Sequence, residues 1–508
     1  MINSLCILGG GTSGLVSALM LKKAWPTVDI TVIESSKIGI IGVGEGSTEH
    51  WRRFMQHIGV DIPTLIRETG ATYKIGIKFT DWQGDGKHYF HSLSEQFSQF
   101  SNENGVPYSW IKMIGDDVDP LDTSWKLSQN SMHVEPLHDN FAQYHFDTFK
   151  LNNFLHNLCN ERGIKIIDAE IDDAVLDDQG YVTHLVASDN SIYSADFFVD
   201  CSGFKRVIGS KLGAKWIDCH QQLPMNSAIA FPTDYTEDIP AYTEATALSS
   251  GWVWRIPTQE RYGNGYVFCD DFIDESAALN EVQQHYRDNL CIKQELQVGK
   301  RVKFSAGYVE KFWIKNCVMI GLSGIFVEPL EASSIGTTIQ QSFLLLNSLF
   351  FYDRGDAVTA NTYNKDMHEI STNIIDFIQL HYFTKRGDSA FWKWAKNEIK
   401  LTDFNAEHLE YFKNYSVHAR CFQNDMKLFG QLNYLQVMHG LGLFNFEKIK
   451  NVYETHLKNY DPIIALNKLQ GDEWESHMEK FKHRDALNIV KTRMLQPETI
   501  RNTNATKF

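Results

Sequence analysis

Two hydrophobic rhythms run along this chain. Short apolar runs and period-2 alternation dominate its first two thirds, whereas from about residue 341 apolar residues recur at helical spacing. Residues 5–9 (Leu-Cys-Ile-Leu-Gly) read as a short buried strand, and an apolar helix pattern occupies 15–21. Between them stands Gly9-Gly10-Gly11-Thr12-Ser13-Gly14. A second strand, residues 29–33, closes on Glu34. Strand, glycine turn, helix and a strand-terminal acid in this order predict a dinucleotide-binding unit. Gly9 permits the tight turn, Gly11 lets backbone approach a pyrophosphate, and Gly14 lets the helix pack on the strand. Amides at the helix start face the phosphates, and Glu34 stands where a ribose hydroxyl is held.

Residues 41–48 (Ile-Gly-Val-Gly-Glu-Gly-Ser-Thr) are too glycine-rich for a regular element, and read as a turn or as a loop around a cofactor. In 71–82, Tyr73, Ile75, Ile77 and Phe79 alternate with Lys74, Gly76, Lys78 and Thr80. One strand is expected, with Lys74 and Lys78 on one face and room above Gly76. That face is either solvated or turned into a cavity. A helix follows from near Asp147 to near Gly163, then strands at 164–167, 174–176 and 184–187 with a turn at Gly180. Residues 195–201 form a strand that ends in Asp200-Cys201-Ser202-Gly203. Trp252 and Trp254 share one face of a strand that Pro257 ends, and residues 264–268 pair with it. A buried strand at 317–320 meets a Gly-Leu-Ser turn and then a loop with two carboxylates, Glu328 and Glu331. A helix begins at about Ser333; its first amides form an anion site, or a serine caps it. Further helices are expected at 341–352, 358–382, 391–400 and onward to about 490.

No linker or repeat divides the chain. Residues 1–340 read as a cofactor-binding lobe and 341–508 as a mainly helical subdomain packed on it, with a frayed polar end. At 508 residues, two intimately packed lobes are expected. A formal net charge of −15 argues against a nucleic-acid partner. No apolar run is long enough to span a membrane, and the chain opens directly on a strand without a basic leader. The eight cysteines are scattered without a CxxC, which points to reduced thiols, a cytoplasmic location and no metal site. Aromatic residues make up 13% of the chain, enough for a large aromatic core or a pocket for flat molecules.

Together these blocks resemble the flavin-dependent halogenases of the tryptophan halogenase family, from residue 1 to about 400. The motifs that carry the resemblance are Gly-Gly-Gly-Thr-Ser-Gly (9–14), Gly-Val-Gly-Glu (42–45), Tyr-Lys-Ile-Gly-Ile-Lys-Phe (73–79), Asp-Cys-Ser-Gly-Phe (200–204), Trp-Val-Trp-Arg-Ile-Pro (252–257) and Glu-Pro-Leu-Glu (328–331). The tryptophan block is the most specific of them. The segment around His381-Tyr382 and Arg386-Gly387-Asp388 is similar to the family as well.

The resemblance implies an α/β fold: a Rossmann-type, flavoprotein monooxygenase-like FAD domain with an antiparallel sheet region and a C-terminal helical subdomain. It implies that reduced FAD, O2 and halide yield hypohalous acid, which travels inside the protein to a lysine beside an electron-rich ring. Lys74 matches the catalytic lysine and Glu331 the carboxylate that works with it. Cofactor contacts fall on Gly9, Gly10, Gly11, Thr12, Ser13, Gly14, Glu34, Val43, Gly46, Leu322 and Ile335. Trp252 and Trp254 shield the flavin from organic substrate, and the backbone amides of Ser333 and Ser334 bind halide. His91 and Leu93 border the substrate. No second dinucleotide fingerprint is visible, so a separate reductase is expected to supply reduced flavin.

The chain departs from the family pattern in two places. Ala332-Ser333-Ser334 replaces Ser-Thr-Gly at the halide site, which suggests bromide or iodide rather than chloride. Leu93 stands where the free-tryptophan enzymes place an aromatic, and 420–439 shows no clear match to their amino-acid-holding segment. An indole, a phenol or a larger aromatic is therefore expected in place of free tryptophan. An FAD-dependent aromatic hydroxylase and a non-catalytic flavin-binding protein remain as alternatives.

Overall fold

The computed structural model describes residues 2–39, 45–93, 106–121, 143–355, 357–422, 427–459 and 482–492. The predicted nucleotide unit forms as read. The strand Ser4–Leu8 leads through the glycine turn into the helix Thr12–Ala24 and the strand Asp29–Glu34. Ser4–Leu8 lies in the middle of a six-stranded sheet, flanked in parallel by Asp29–Glu34 and Phe197–Asp200. Lys165–Asp168 and Cys317–Met319 extend the parallel register outward, and Trp313–Ile314 adds an antiparallel edge. Parallel strands buried on both faces read as continuous apolar runs, which is why this part was legible from local sequence. Their carboxyl ends bring Gly9, Glu34, Asp200 and Gly321 to one edge of the sheet, the usual ligand edge of such folds.

A second, seven-stranded sheet runs in the order Lys300–Lys303, Ser227–Asp234, Arg261–Phe268, Gly251–Pro257, Tyr242–Leu248, Gly76–Thr80, His88–Ser92. It is antiparallel except where Tyr242–Leu248 meets Gly76–Thr80. A small third sheet holds Thr72–Lys74, Gln143–Phe146 and Glu45–Gly46.

The single strand expected over 71–82 is thus two. It breaks at Ile75, whose N–H turns to the Ala241 carbonyl at 2.7 Å, so Lys74 and Lys78 fall in different sheets. Lys78 pairs with Glu244 at 3.3 Å. Alternation cannot report such a break, because both halves keep the same period.

The helices also form broadly where expected, with one difference. The helix placed at 341–352 runs from Ser333 to Leu349 without interruption. Val358–Leu380 and Ala390–Glu398 follow. Ser333–Leu349 packs along Thr12–Ala24, so the position proposed as a lobe boundary lies inside a buried helix. One apolar cluster joins Leu5 and Leu15 of the nucleotide unit to Ile374, Phe377, Tyr434 and Leu487 of the helical part. Among the described residues no helix is long and apolar enough to cross a membrane, and all eight cysteines are unpaired.

Candidate active site

At the carboxyl edge of the parallel sheet, the glycine turn has the shape that a dinucleotide requires. Gly9 adopts φ +120°, and a Cβ there would strike the Cys201 carbonyl at 2.2 Å. A Cβ on Gly14 would lie 1.8 Å from the Gly9 carbonyl, so only glycine lets the helix approach. Above Gly11 none of the described residues lies within 4 Å, which leaves space for a pyrophosphate. The helix Thr12–Ala24 has no side-chain cap, and its first amides are open to an anion. Ser13 bonds Thr338 at 3.1 Å, tying this turn to the helix Ser333–Leu349. Glu34 ends its strand as expected, and its carboxylate lies over Gly10 and accepts from His156 at 3.2 Å. Leu322 sits half-buried in the Gly321–Ser323 turn, and Ile335 is buried in the first turn of its helix. These residues fit an FAD. Val43 lies outside the described residues.

Lys74 ends the strand Thr72–Lys74 and is buried, at 1% exposure. Its Nζ donates to the Ser47 carbonyl at 3.0 Å. Ser47 is itself locked: its N–H donates to the Tyr144 carbonyl and its Oγ accepts from the Tyr144 N–H, both at 2.8 Å. The space expected above Gly76 is filled by Phe90, whose ring would be 2.1 Å from a Cβ there. The clearance that matters is at Gly46 instead, where a Cβ would stand 3.5 Å from the Lys74 Nζ and 3.2 Å from the Ala332 Cβ. Burial pushes the Lys74 amine down to about 8, against the attraction of Glu331 and Glu49.

Glu331 is buried and held by two imidazoles. His91 Nδ1 lies 3.0 Å from its Oε1 and 3.1 Å from its Oε2, and His381 Nε2 lies 3.0 Å from Oε1. Burial works to raise its pKa, but His91 and His381 outweigh burial and hold it down at about 2. Glu331 is therefore a carboxylate at neutral pH, coupled electrostatically to Lys74.

Glu328 behaves in the opposite way. It is fully buried, and its Oε1 accepts from Trp252 Nε1 at 3.1 Å and from the Tyr382 hydroxyl at 2.5 Å. Its Oε2 has no partner among the described residues. Burial pushes it up to about 7, with the Tyr382 and Trp252 hydrogen bonds acting against that rise. Consecutive residues at the end of one helix, His381 and Tyr382, thus grip the two carboxylates of the 328–331 loop.

Trp252 and Trp254 pack with ring centroids 6.3 Å apart, both buried. Trp254 lies over Gly265, where a Cβ would meet its ring at 2.1 Å, and among the described residues its Nε1 has no partner. After Glu331, Ala332 takes φ +52° at the N-cap of the helix Ser333–Leu349, and no side chain caps that helix. The serine cap considered from sequence is therefore absent. Ser333 is buried and Ser334 exposed. His91 is buried against Glu331, while Leu93 is half-buried and its N–H pairs with the Ile75 carbonyl at 2.9 Å.

Sequence reasoning missed the support of this site. The resemblance singled out Glu331, but the partners of Glu331 and the role of Glu328 were not visible in the sequence. Asp200 closed a recognisable motif, yet its work is structural: it accepts from the amides of Ser202, Ile208 and Gly209 at 2.8–2.9 Å.

The sequence matches the family model described as Tryptophan halogenase over residues 4–454. It is 31% identical over 444 residues to the tryptophan 6-halogenase SttH of Streptomyces toxytricini, covering 80% of this chain and 83% of that protein. The solved tryptophan halogenase of Shewanella frigidimarina shares the fold at TM-score 0.85 and 23% identity, covering 96% of this chain and 98% of that one. Xcc4156, a flavin-dependent halogenase from Xanthomonas campestris, matches at TM-score 0.81 and 26% identity, covering 98% of this chain and all of that one. With a nucleotide-binding edge, a buried lysine and carboxylate, and a family match over nearly the whole chain, this protein belongs to the tryptophan halogenase family of flavin-dependent oxidoreductases.

Proposed function

We propose that this protein uses FADH2, O2 and halide to make hypohalous acid and directs it through Lys74 onto an electron-rich aromatic other than free tryptophan. The single observation that carries the reading is the burial of a Lys74 ammonium and a Glu331 carboxylate in one electrostatically coupled site. The 9–14 turn, Glu34, Gly46, Leu322 and Ile335, with Val43 outside the described residues, would hold reduced FAD, which would supply the two electrons that with O2 oxidise halide. A separate reductase delivers the reduced flavin. The amides of Ser333 and Ser334, at an uncapped helix start, hold the halide. Trp252 and Trp254 wall off the organic substrate.

At Lys74 the ammonium donates to the oxygen of hypohalous acid. The ring's electron pair forms the carbon–halogen bond as the halogen–oxygen bond breaks. The leaving hydroxide takes a proton from Lys74 and departs as water. Glu331 accepts the displaced ring proton, which then returns to Lys74. The sum is ArH + HOX → ArX + H2O.

The substrate reading rests on the helix Gln431–Gly440, which faces the strand His88–Ser92. Gln436 exchanges hydrogen bonds with both backbone groups of Ser92, and Gly440 packs on Tyr89. Among the described residues this helix has no carboxylate to hold an amino acid's ammonium. The test is turnover with a flavin reductase over a panel of indoles, phenols and tryptophan, with products read by mass. Halogenated indoles or phenols from wild type, and none from Lys74→Ala, are expected. Oxygen addition in place of halogen, or tryptophan as the far better substrate, would overturn the reading.

A further inference from the structure

We infer that Asn433 is a positioning residue for Glu331: it fixes His91 as the Nδ1–H tautomer, so that a neutral imidazole donates to the carboxylate. The inference deepens the proposed reaction and rests on that reading for its catalytic consequence.

Asn433 lies half-buried on the helix Gln431–Gly440, and its amide orientation is set by a second partner. The Gly430 N–H donates to its Oδ1 at 2.8 Å, so the atom 3.1 Å from His91 Nε2 is its NH2 group. An NH2 group only donates, so His91 Nε2 must accept and its proton must be on Nδ1, facing Glu331. His381 differs. Its Nδ1 lies 3.0 Å from the Phe377 carbonyl and its Nε2 3.0 Å from Glu331, so acceptors stand at both nitrogens. Both nitrogens of His381 thus face acceptors, whereas His91 Nε2 faces a donor. Lys74 and Tyr89 are the other ionisable groups coupled to Glu331, and Glu49 acts on Lys74.

An imidazolium at His91 would weaken Glu331 as a proton acceptor. Asn433 therefore sets the basicity of that carboxylate from a helix 342 residues away in sequence.

Asn433→Asp keeps the acceptor for Gly430 and places an acceptor against His91 Nε2. Histidine-selective 15N NMR of the full chain, with His91 assigned by loss of its signals in His91→Gln, reads the tautomer without turnover. Wild type is expected to show a protonated Nδ1 and a bare Nε2, and Asn433→Asp to protonate Nε2. An Nε2–H tautomer or an imidazolium at His91 in wild type would overturn the assignment, even if the variant failed to fold. In turnover, Asn433→Asp is expected to lose about tenfold to a hundredfold in kcat with little change in KM, and to shift the pH–rate profile. An unchanged kcat and profile alongside the predicted NMR change would refute the catalytic consequence. The predicted tautomer in a protein that halogenates nothing would sink the proposed function and leave the tautomer assignment standing.

Discussion

Lys74 and Ser47 meet through one hydrogen bond, ammonium to carbonyl at 3.0 Å, inside a pocket where the lysine is almost wholly removed from water. One carbonyl among the described residues is a poor exchange for hydration. The amine is accordingly pushed down to about 8 from 10.5. The folded state then binds its proton more weakly than the unfolded chain. Below pH 8 the buried charge costs about 3 kcal/mol, and the cost is relieved as pH rises from 8 to 10.5. Lys74→Met is expected to abolish halogenation while raising Tm at pH 7. A Tm below wild type would show that the ammonium is stabilising where it sits.

Glu328 makes the reverse prediction about pH. Its carboxyl is pushed up to about 7 from 4.5, so folding favours the protonated form. That contribution is present below pH 4.5 and is lost as pH rises through 7, about 3 kcal/mol in all. Glutamine keeps an oxygen for both Trp252 and Tyr382 and cannot ionise. Glu328→Gln is expected to melt close to wild type at pH 5 and several degrees above it at pH 8. Parallel Tm profiles for the two proteins would refute the assignment.

His483 ties the helix His483–Thr492 to the lysine strand. Its Nε2 accepts from the Tyr73 N–H at 3.1 Å, and its Nδ1 donates to the Ile239 carbonyl at 3.1 Å. Burial holds this imidazole neutral and lowers it to about 4. Its contribution is present above pH 6.5 and lost as pH falls toward 4, about 3 kcal/mol. Glutamine can reproduce one acceptance and one donation without titrating. His483→Gln is expected to match wild type at pH 7 and to melt higher at pH 4.5, as calorimetry would show.

Halide choice is expected to follow size. Ala332 holds the backbone at φ +52° ahead of a helix without a side-chain cap, whose first amides belong to Ser333 and Ser334. Larger halides are the more weakly hydrated and give up less on leaving water. With chloride and bromide in equal concentration, brominated product should exceed chlorinated product by about tenfold or more, a ratio mass spectrometry reads directly. Chloride turnover equal to or faster than bromide would reject this.

What the sequence determined by itself was whatever depends on neighbours along the chain. Gly9 and Gly14 mark a turn through their own backbone angle and the close approach of strand and helix, and apolar runs identify parallel strands because both of their faces are buried. Lys74 and Glu331 were singled out by the resemblance of their motifs to the family, while alternation alone left the lysine face either solvated or turned into a cavity. Tertiary structure decided what these groups are. His91 reaches Glu331 across 240 residues and His381 across 50, and no local pattern records such a meeting. The two glutamates at 328 and 331 are chemically identical in sequence. One lies beside two imidazoles that hold it ionised, while burial lifts the other to about 7 against the opposing hydrogen bonds of its indole and phenol partners, because charge in a buried site is governed by the surroundings that folding supplies.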